Sequence, residues 1–160
     1  MALRPPSAAK PYDTYYSGDP GLVQVPDGAS EAVQTEYLRK LRIARQTNEW
    51  GALLVADGDK PTTFSFQIIT GDVRRKLFDR MPKDDDGNAI SNAEWWTLVF
   101  RCSIVEISNF GDLEVKFEKH PAFGKIATVD IANALDDESP AIVNELARYA
   151  WERSNTRDPK

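Results

Sequence analysis

The sequence has one cysteine, Cys102, and one histidine, His120. A single cysteine cannot form a disulfide within the chain, which fits the reducing environment of a cytoplasm. One cysteine and one histidine also cannot fill the four ligand positions of a tetrahedral zinc site. A Ser–His–Asp or Cys–His site would have to use His120, which stands beside Pro121 where a surface turn is expected. The sequence therefore predicts no catalytic residue, no metal site and no cofactor.

Long apolar runs and phosphate-binding motifs are also missing. The longest apolar pieces, at 52–56 and 95–100, are far shorter than the roughly 20 residues that span a bilayer. The opening Met-Ala-Leu-Arg-Pro-Pro has no apolar segment of the kind found in a secretory signal. No Gly-x-Gly-x-x-Gly or Walker pattern occurs, so a loop that binds phosphate is not expected. These absences predict a cytoplasmic protein that has no membrane partner.

The acidic segment 84–88 invites comparison with a calcium-binding loop, because three aspartates precede a glycine and an asparagine. In an EF-hand the first ligand is acidic, glycine stands at position six and glutamate at position twelve. If Gly87 takes position six, Pro82 is first and Ala93 is last, so both defining ligands are missing. We interpret the segment as an acidic loop that leads into the next helix.

The chain of 160 residues is long enough for one domain with one hydrophobic core, and its net charge is −5. Its first 30 residues differ from the rest, because they hold half of the ten prolines together with Tyr12, Tyr15 and Tyr16. Prolines at this density exclude a helix or a central strand. We therefore predict an extended arm over 1–30, which is either disordered or ordered against a neighbouring subunit through these tyrosines.

Beyond the arm, hydrophobic periodicity separates helices from strands. Helices are expected at 29–48, 70–81, 91–109, 130–135 and 139–153, and strands at 52–55, 62–69 and 113–117. Asp57-Gly58 between the first two strands is a strong hairpin signal, and Ser91 with Glu94 matches a capping box. The predicted fold is α+β: a small antiparallel sheet, made of this hairpin and one further strand, packed with four to five helices. This single domain is predicted to cover 31–155, and a polar tail follows over 156–160.

Two helix faces are basic: one carries Arg39, Lys40, Arg42 and Arg45, and the other runs over 74–80. Such faces can contact phosphates, but each is the solvated side of an amphipathic helix with no aromatic stacking platform interleaved. The negative net charge also argues against a dedicated polyanion-binding protein. Nucleic-acid binding is therefore the less favoured interpretation.

The predicted helix after the acidic loop carries a dense aromatic group, Trp95, Trp96 and Phe100. These side chains cover more of the helix than one apolar stripe. One interpretation is that one tryptophan is exposed and anchors a protein contact. The other interpretation is that both tryptophans belong to the core.

Two stretches of the sequence have a distinctive order of elements. The first, 59–72, reads DKPTTFSFQIITGD and leads from a short strand into a helix with Arg74 and Arg75; the second, 139–150, reads SPAIVNELARYA and forms a closing helix. This arrangement resembles the tail assembly chaperones of long-tailed phages. The resemblance carries no catalytic motif across. It implies a protein that coats the tape-measure protein and recruits tail-tube subunits during assembly.

We therefore expect a non-catalytic phage morphogenesis protein in the host cytoplasm, which forms homo-oligomers and binds tape-measure, tail-tube or neighbouring virion proteins. The predicted contact residues are aromatic: Tyr12, Tyr15, Tyr16, Trp95, Trp96, Tyr149 and Trp151. Two alternatives stay open. One is a structural protein of the neck, tail or capsid surface that is anchored in the virion by its arm. The other is a small regulator that contacts nucleic acid through Arg39, Lys40, Arg42 and Arg45.

Overall fold

The computed structural model describes residues 11–56, 58 and 60–155. Along this part of the chain the elements are β1 (Tyr12–Thr14), α1 (Glu31–Thr47), β2 (Thr63–Phe66), α2 (Gly71–Asp79), α3 (Ala93–Ser103), β3 (Ile104–Ser108), β4 (Phe117–His120), β5 (Gly124–Ala127), α4 (Val129–Glu138) and α5 (Ala141–Asn155). The α+β class predicted from the sequence is confirmed. None of the described helices is long and apolar enough to cross a membrane. The first ten residues of the predicted arm and the predicted tail over 156–160 lie outside the described residues.

The larger sheet of the described structure is antiparallel and has the strand order β1–β2–β3. The alternation predicted for β2 is confirmed, because Phe64 and Phe66 point into the core and are almost completely buried. Thr14 pairs with Phe64 and Tyr12 pairs with Phe66 across β1 and β2. β4 and β5 form a separate antiparallel hairpin. β2 is therefore the strand that joins the N-terminal segment to the rest of the sheet.

The predicted hairpin between 52–55 and 62–69 is wrong. The partners of β2 are β1 and β3, whereas Leu54 forms an isolated antiparallel bridge with Leu22. Leu53 lies in a short turn of 3-10 helix and is buried in a small apolar cluster beneath α1. A turn signal acts locally, and here the burial of side chains in two different clusters outweighs it.

The chain changes from helix to strand earlier than predicted. The predicted helix 91–109 ends at Ser103, and the next residues form β3. This segment holds the β-branched residues Ile104, Val105 and Ile107, which favour a strand. Pairing with β2 then buries Ile104 and Ile107 in the core. Helical periodicity and strand alternation overlap in such a short apolar run, so the sequence alone does not separate them.

The segment after β3 also differs from the prediction. The predicted strand 113–117 is wrong, because β4 begins at Phe117 and pairs with β5. The loop expected around His120 is the tip of that hairpin, and α4 continues past the predicted break at residue 135. Ile126 is almost fully buried, so core packing of β5 accounts for the hairpin.

The helix starts agree better with the sequence. The side chain of Ser30 accepts a hydrogen bond from the backbone of α1, and that of Thr70 accepts one from the backbone of α2, as expected. At α3 the predicted capping box with Ser91 is wrong by one residue. Asn92 caps the helix instead, because its side-chain oxygen accepts the Trp95 N–H at 2.8 Å. Capping depends on local geometry, which explains why the sequence locates these starts to within a residue.

The described residues contain a main hydrophobic core and a smaller cluster. The main core is built where α3 packs on α5 and on the sheet, and it includes Phe64, Phe66, Leu77, Val99, Phe100 and Leu146. The smaller cluster lies under α1 and consists of Leu22, Leu41, Ala44, Trp50 and Leu53, with Tyr15 and Tyr37 packed at its edge. α1 therefore rests on a support that is largely separate from the main core.

The described part of the predicted arm folds onto its own chain. Tyr12 is buried in the main core, and the Tyr15 ring packs edge-on against Trp50 with 4.9 Å between centroids. β1 is an edge strand, so Pro11 beside it does not interrupt the centre of the sheet. Tyr12 and Tyr16 thus pack on the main core, and Tyr15 and Leu22 on the smaller cluster, so this part of the predicted arm is ordered on its own chain. The contact with a neighbouring subunit stays a prediction.

Candidate protein-binding surfaces

The two tryptophans of α3 are both in the core, so the exposed-anchor interpretation is wrong. Trp95 is 3% exposed, and its Nε1–H donates a hydrogen bond of 2.7 Å to the backbone oxygen of Leu77. Trp96 is 8% exposed and is covered by the guanidinium of Arg148, which lies 4.7 Å from the ring centroid. Trp151 is half-buried and packs edge-on against Trp95. Trp151 thus remains available for contact on its outer side.

The predicted tyrosine anchors are also used inside the chain. Tyr12 is buried beneath the guanidinium of Arg153, 4.1 Å from the ring centroid. Tyr15 and Tyr16 are half-buried, and Tyr149 is half-buried with its hydroxyl donating to the backbone oxygen of Arg45. The structure therefore does not bring the predicted aromatic residues together on one surface. Most of them hold the N-terminal segment and α5 in place.

A polar network joins α1, the N-terminal segment and α5. The carboxylate of Glu145 accepts hydrogen bonds from the Arg45 guanidinium at 2.8 Å and from the Ser17 backbone N–H at 2.7 Å. The Ser17 hydroxyl donates to the same carboxylate. Arg39 is also paired, with Glu36 at 2.6 Å. Two arginines of the basic face on α1 are thus engaged within the chain, which weakens the nucleic-acid interpretation.

An open cleft with a volume of about 460 Å³ lies between α2 and α5, and we call it the α2–α5 cleft. Its lining residues are Gly71, Arg74, Arg75, Phe78 and Trp151. The residue Phe78 is 56% exposed, which is unusual for a phenylalanine, and the Arg75 side chain is 73% exposed. Arg74 is held in place by a 2.9 Å hydrogen bond from its guanidinium to the backbone oxygen of Ser154. The cleft combines two aromatic rings with two guanidinium groups.

The rim of this cleft carries a paired acid. Asp72 contacts Lys76 and Arg75, each at 3.1 Å, and these hydrogen bonds hold the pKa of its carboxyl below the usual value. Phe78 was not predicted as a contact residue, although it follows Arg74 by four residues and so shares its helix face. That spacing is the sequence signal that could have identified it. The face over 74–80 is therefore basic and aromatic together.

A second exposed surface lies on α1. A groove of about 390 Å³, which we call the α1 groove, runs between α1 and the segment 23–26, with Ala52 and Leu53 at its floor. Val33 on α1 and Val23 on the opposite wall are 48% and 43% exposed. Glu36 and Lys40 stand among the apolar lining residues. This surface is apolar with a charged edge, which is typical of a protein contact.

His120 and the acidic loop have structural roles in the described chain. The Nδ1 atom of His120 accepts the Ala122 N–H at 3.0 Å, and its ring packs against Phe123 at the tip of the β4–β5 hairpin. In the acidic loop the Asp84 carboxylate accepts the backbone N–H groups of Asp86 and Asn88 at 3.0 and 2.8 Å. Asp84 thus stabilises its own turn, in line with the predicted loop.

Cys102 is buried in the main core, and burial raises the pKa of its thiol from 9.0 to about 12. Burial likewise raises the pKa values of the Tyr12 and Tyr149 hydroxyls. A raised pKa means that the neutral group stabilises the fold below its ordinary pKa, and that this contribution is lost as the pH rises towards the folded-state value.

We therefore expect the protein to lose stability in alkali. The free energy of unfolding should fall by about 2 kcal/mol between about pH 9 and 11 through Cys102 alone, with the tyrosines adding to the loss above about pH 10. Urea unfolding curves at several pH values would measure this. Cys102→Ala should show a shallower decline over the lower part of that range, and an identical decline in both proteins would contradict the assignment.

Comparisons of the chain with protein-family models, with curated proteins and with solved structures found no match.

Proposed function

We propose that this chain is a non-catalytic tail assembly chaperone of a long-tailed phage, which binds tape-measure and tail-tube proteins through the α2–α5 cleft. The observation that carries the proposal is the exposed Phe78 ring beside Trp151, flanked by Arg74 and Arg75. Aromatic and arginine side chains dominate the binding energy of protein contacts. α5 is the closing helix whose sequence pattern resembles the chaperone family. It forms one wall of this cleft through Trp151.

The chemistry of the cleft defines the partner segment. Phe78 and Trp151 offer apolar surface, and the exposed Arg75 guanidinium offers planar donors that fit a carboxylate. A segment that places an apolar side chain near an Asp or Glu at helical spacing would satisfy both. We expect the long helical tape-measure protein to carry segments of this kind. The open cleft suits transient binding, as assembly requires release.

The test is a binding measurement with purified tape-measure fragments from the phage that encodes the chain. Phe78→Ala and Arg75→Glu should each weaken binding by about tenfold or more, which corresponds to about 1.4 kcal/mol. Phe117→Ala is the matched control, because Phe117 is a partly exposed phenylalanine on the β4–β5 hairpin. Equal binding by wild type and Phe78→Ala would contradict the proposal that the α2–α5 cleft is the binding site. No binding by the wild type to any tape-measure or tail-tube fragment would contradict the chaperone function.

The structural-protein alternative relies on an N-terminal arm that wraps an adjacent subunit. Tyr12 and Leu22 are instead buried within their own chain, so the described residues 11–30 lend that alternative no support. It remains a prediction, and the presence of the protein in finished particles would favour it.

A further inference from the structure

α1 is an exposed helix with an apolar side that has no partner in the described structure. It has 17 residues, and its buried residues are Leu41 and Ala44. Val33 and Ile43, which lie about 80° apart around the helix, are 48% and 40% exposed. An exposed apolar surface of this kind marks an interaction site more often than a polar surface does. The question is which molecule covers it.

The spacing along α1 indicates another helix. Val33, Glu36, Lys40 and Ile43 follow one another at steps of three, four and three residues, which is the a/d spacing of a coiled coil, with apolar residues at the two ends and charged residues between them. At 3.6 residues per turn these positions fall within a stripe about 80° wide. All of them are exposed, and we call them the α1 stripe. The stripe borders the α1 groove, whose far wall includes the exposed Val23.

The charges along α1 indicate that the partner helix is α1 of a second copy of the chain. On the side of α1 that carries these exposed apolar residues, the acidic Glu36 lies in the first half of the helix and the basic Lys40 lies in the second half. This order favours the helix dipole within one chain. It also makes the helix complementary to a reversed copy of itself, because each acidic half then meets a basic half.

The register follows from the stripe. In an antiparallel pair, an a position faces a d position of the other helix. Val33 then lies opposite Ile43 of the second copy, and the same register places Glu36 opposite Lys40 of the second copy, since both pairs are centred on residue 38. A parallel pair would instead set Glu36 against Glu36 and Lys40 against Lys40, which is repulsive. Apolar and charged positions thus favour the same antiparallel arrangement.

We propose that α1 binds α1 of a second copy of this chain in an antiparallel, two-fold symmetric contact. Val33–Ile43 contacts lie at the two ends of this contact. At its centre, Lys40 of each copy joins the Glu36 carboxylate of the other copy, which also keeps its pair with Arg39 of its own helix. The segment 23–26 packs beside the incoming helix. The contact is small, so the dimer is weak, with a dissociation constant of about 10–100 μM. It leaves the α2–α5 cleft unchanged and does not depend on the proposed function.

Sedimentation velocity of the full chain over a range of concentrations tests this contact. Glu36→Lys and Lys40→Glu should each weaken the dimer by about tenfold, because each creates like-charge pairs across the two-fold axis. An equimolar mixture of the two variants should restore dimerisation, since the mixed dimer regains both ion pairs. Arg42→Glu is the control, because it makes the same charge change as Lys40→Glu on another side of α1. Circular dichroism should show equal helix content in all of them.

A cysteine cross-link checks the register independently. In a Cys102→Ala background, mixing Val33→Cys with Ile43→Cys should give a disulfide-linked dimer on mild oxidation. Val33→Cys alone should not, since in the antiparallel register its two copies lie about 15 Å apart along the helices. A monomer at all concentrations would overturn the proposal. A dimer whose dissociation constant is unchanged by the charge reversals would also overturn it, as would a Val33→Cys protein that cross-links to itself.

Discussion

Replacing Phe66 with alanine should lower the free energy of unfolding by about 3–5 kcal/mol. Phe66 is fully buried at the centre of the larger sheet, with its ring centroid 5.8 Å from that of Phe100 and 6.0 Å from that of Tyr12. Its removal leaves a cavity between α3 and the N-terminal strand, which the surrounding side chains cannot fill without moving. The loss therefore combines transfer of the ring to water with the cost of that cavity.

Urea unfolding followed by tryptophan fluorescence would measure this change. Phe78→Ala is the matched control, because Phe78 is 56% exposed and its removal should change stability by less than about 0.5 kcal/mol. The same pair of variants separates stability from binding: Phe78→Ala should lose partner binding while keeping its fold. Equal destabilisation by the two substitutions would show that the described core is wrong.

Glu145→Ala should lower the free energy of unfolding by about 2–4 kcal/mol. Its carboxylate accepts hydrogen bonds from Arg45 and Ser17, and the side chain of Arg45 is 14% exposed. Removing the carboxylate leaves that guanidinium largely buried without its anion. The backbone N–H of Ser17 also loses its partner. Breaking one side of a partly buried pair costs more than the pair itself contributes, because the remaining charge stays desolvated.

A double-mutant cycle with Arg45→Met isolates the interaction. The double variant should be more stable than the sum of the two single losses predicts, because no unpaired charge then remains. Glu114→Ala, which removes an exposed carboxylate in the loop before β4, should change stability by less than about 0.5 kcal/mol. If Glu145→Ala behaved like Glu114→Ala, the network would not hold α1 to α5.

The parts of this fold that follow from local chemistry could be predicted. Ser30 and Thr70 cap their helices as expected, and the alternation of Phe64 and Phe66 correctly indicated β2. The pairing of β2 could not be predicted, because its partners come from 12–14 and 104–108 and are selected by burial in a shared core. The same long-range packing ends α3 at Ser103 although its apolar pattern continues.

The contact residues likewise depend on long-range packing, which the sequence pattern does not reveal. The sequence predicted aromatic residues as contact residues, but Trp95 and Trp96 are buried in the core where α5 packs against α3. Phe78 is exposed because Leu77 already fills the buried face of α2. Which aromatic residue reaches the surface depends on the neighbouring helix, and that neighbour is distant in sequence.

The most direct test of the proposed function compares two fractions from cells infected with the phage that encodes the chain. Quantitative mass spectrometry would count the protein in complexes captured from the lysate and in purified finished particles. The chaperone function predicts that the tape-measure protein co-purifies with the wild type, that far less of it does so with Phe78→Ala, and that finished particles lack the chain. Recovery of the chain in finished particles at a fixed stoichiometry would contradict the chaperone function and identify a permanent structural subunit.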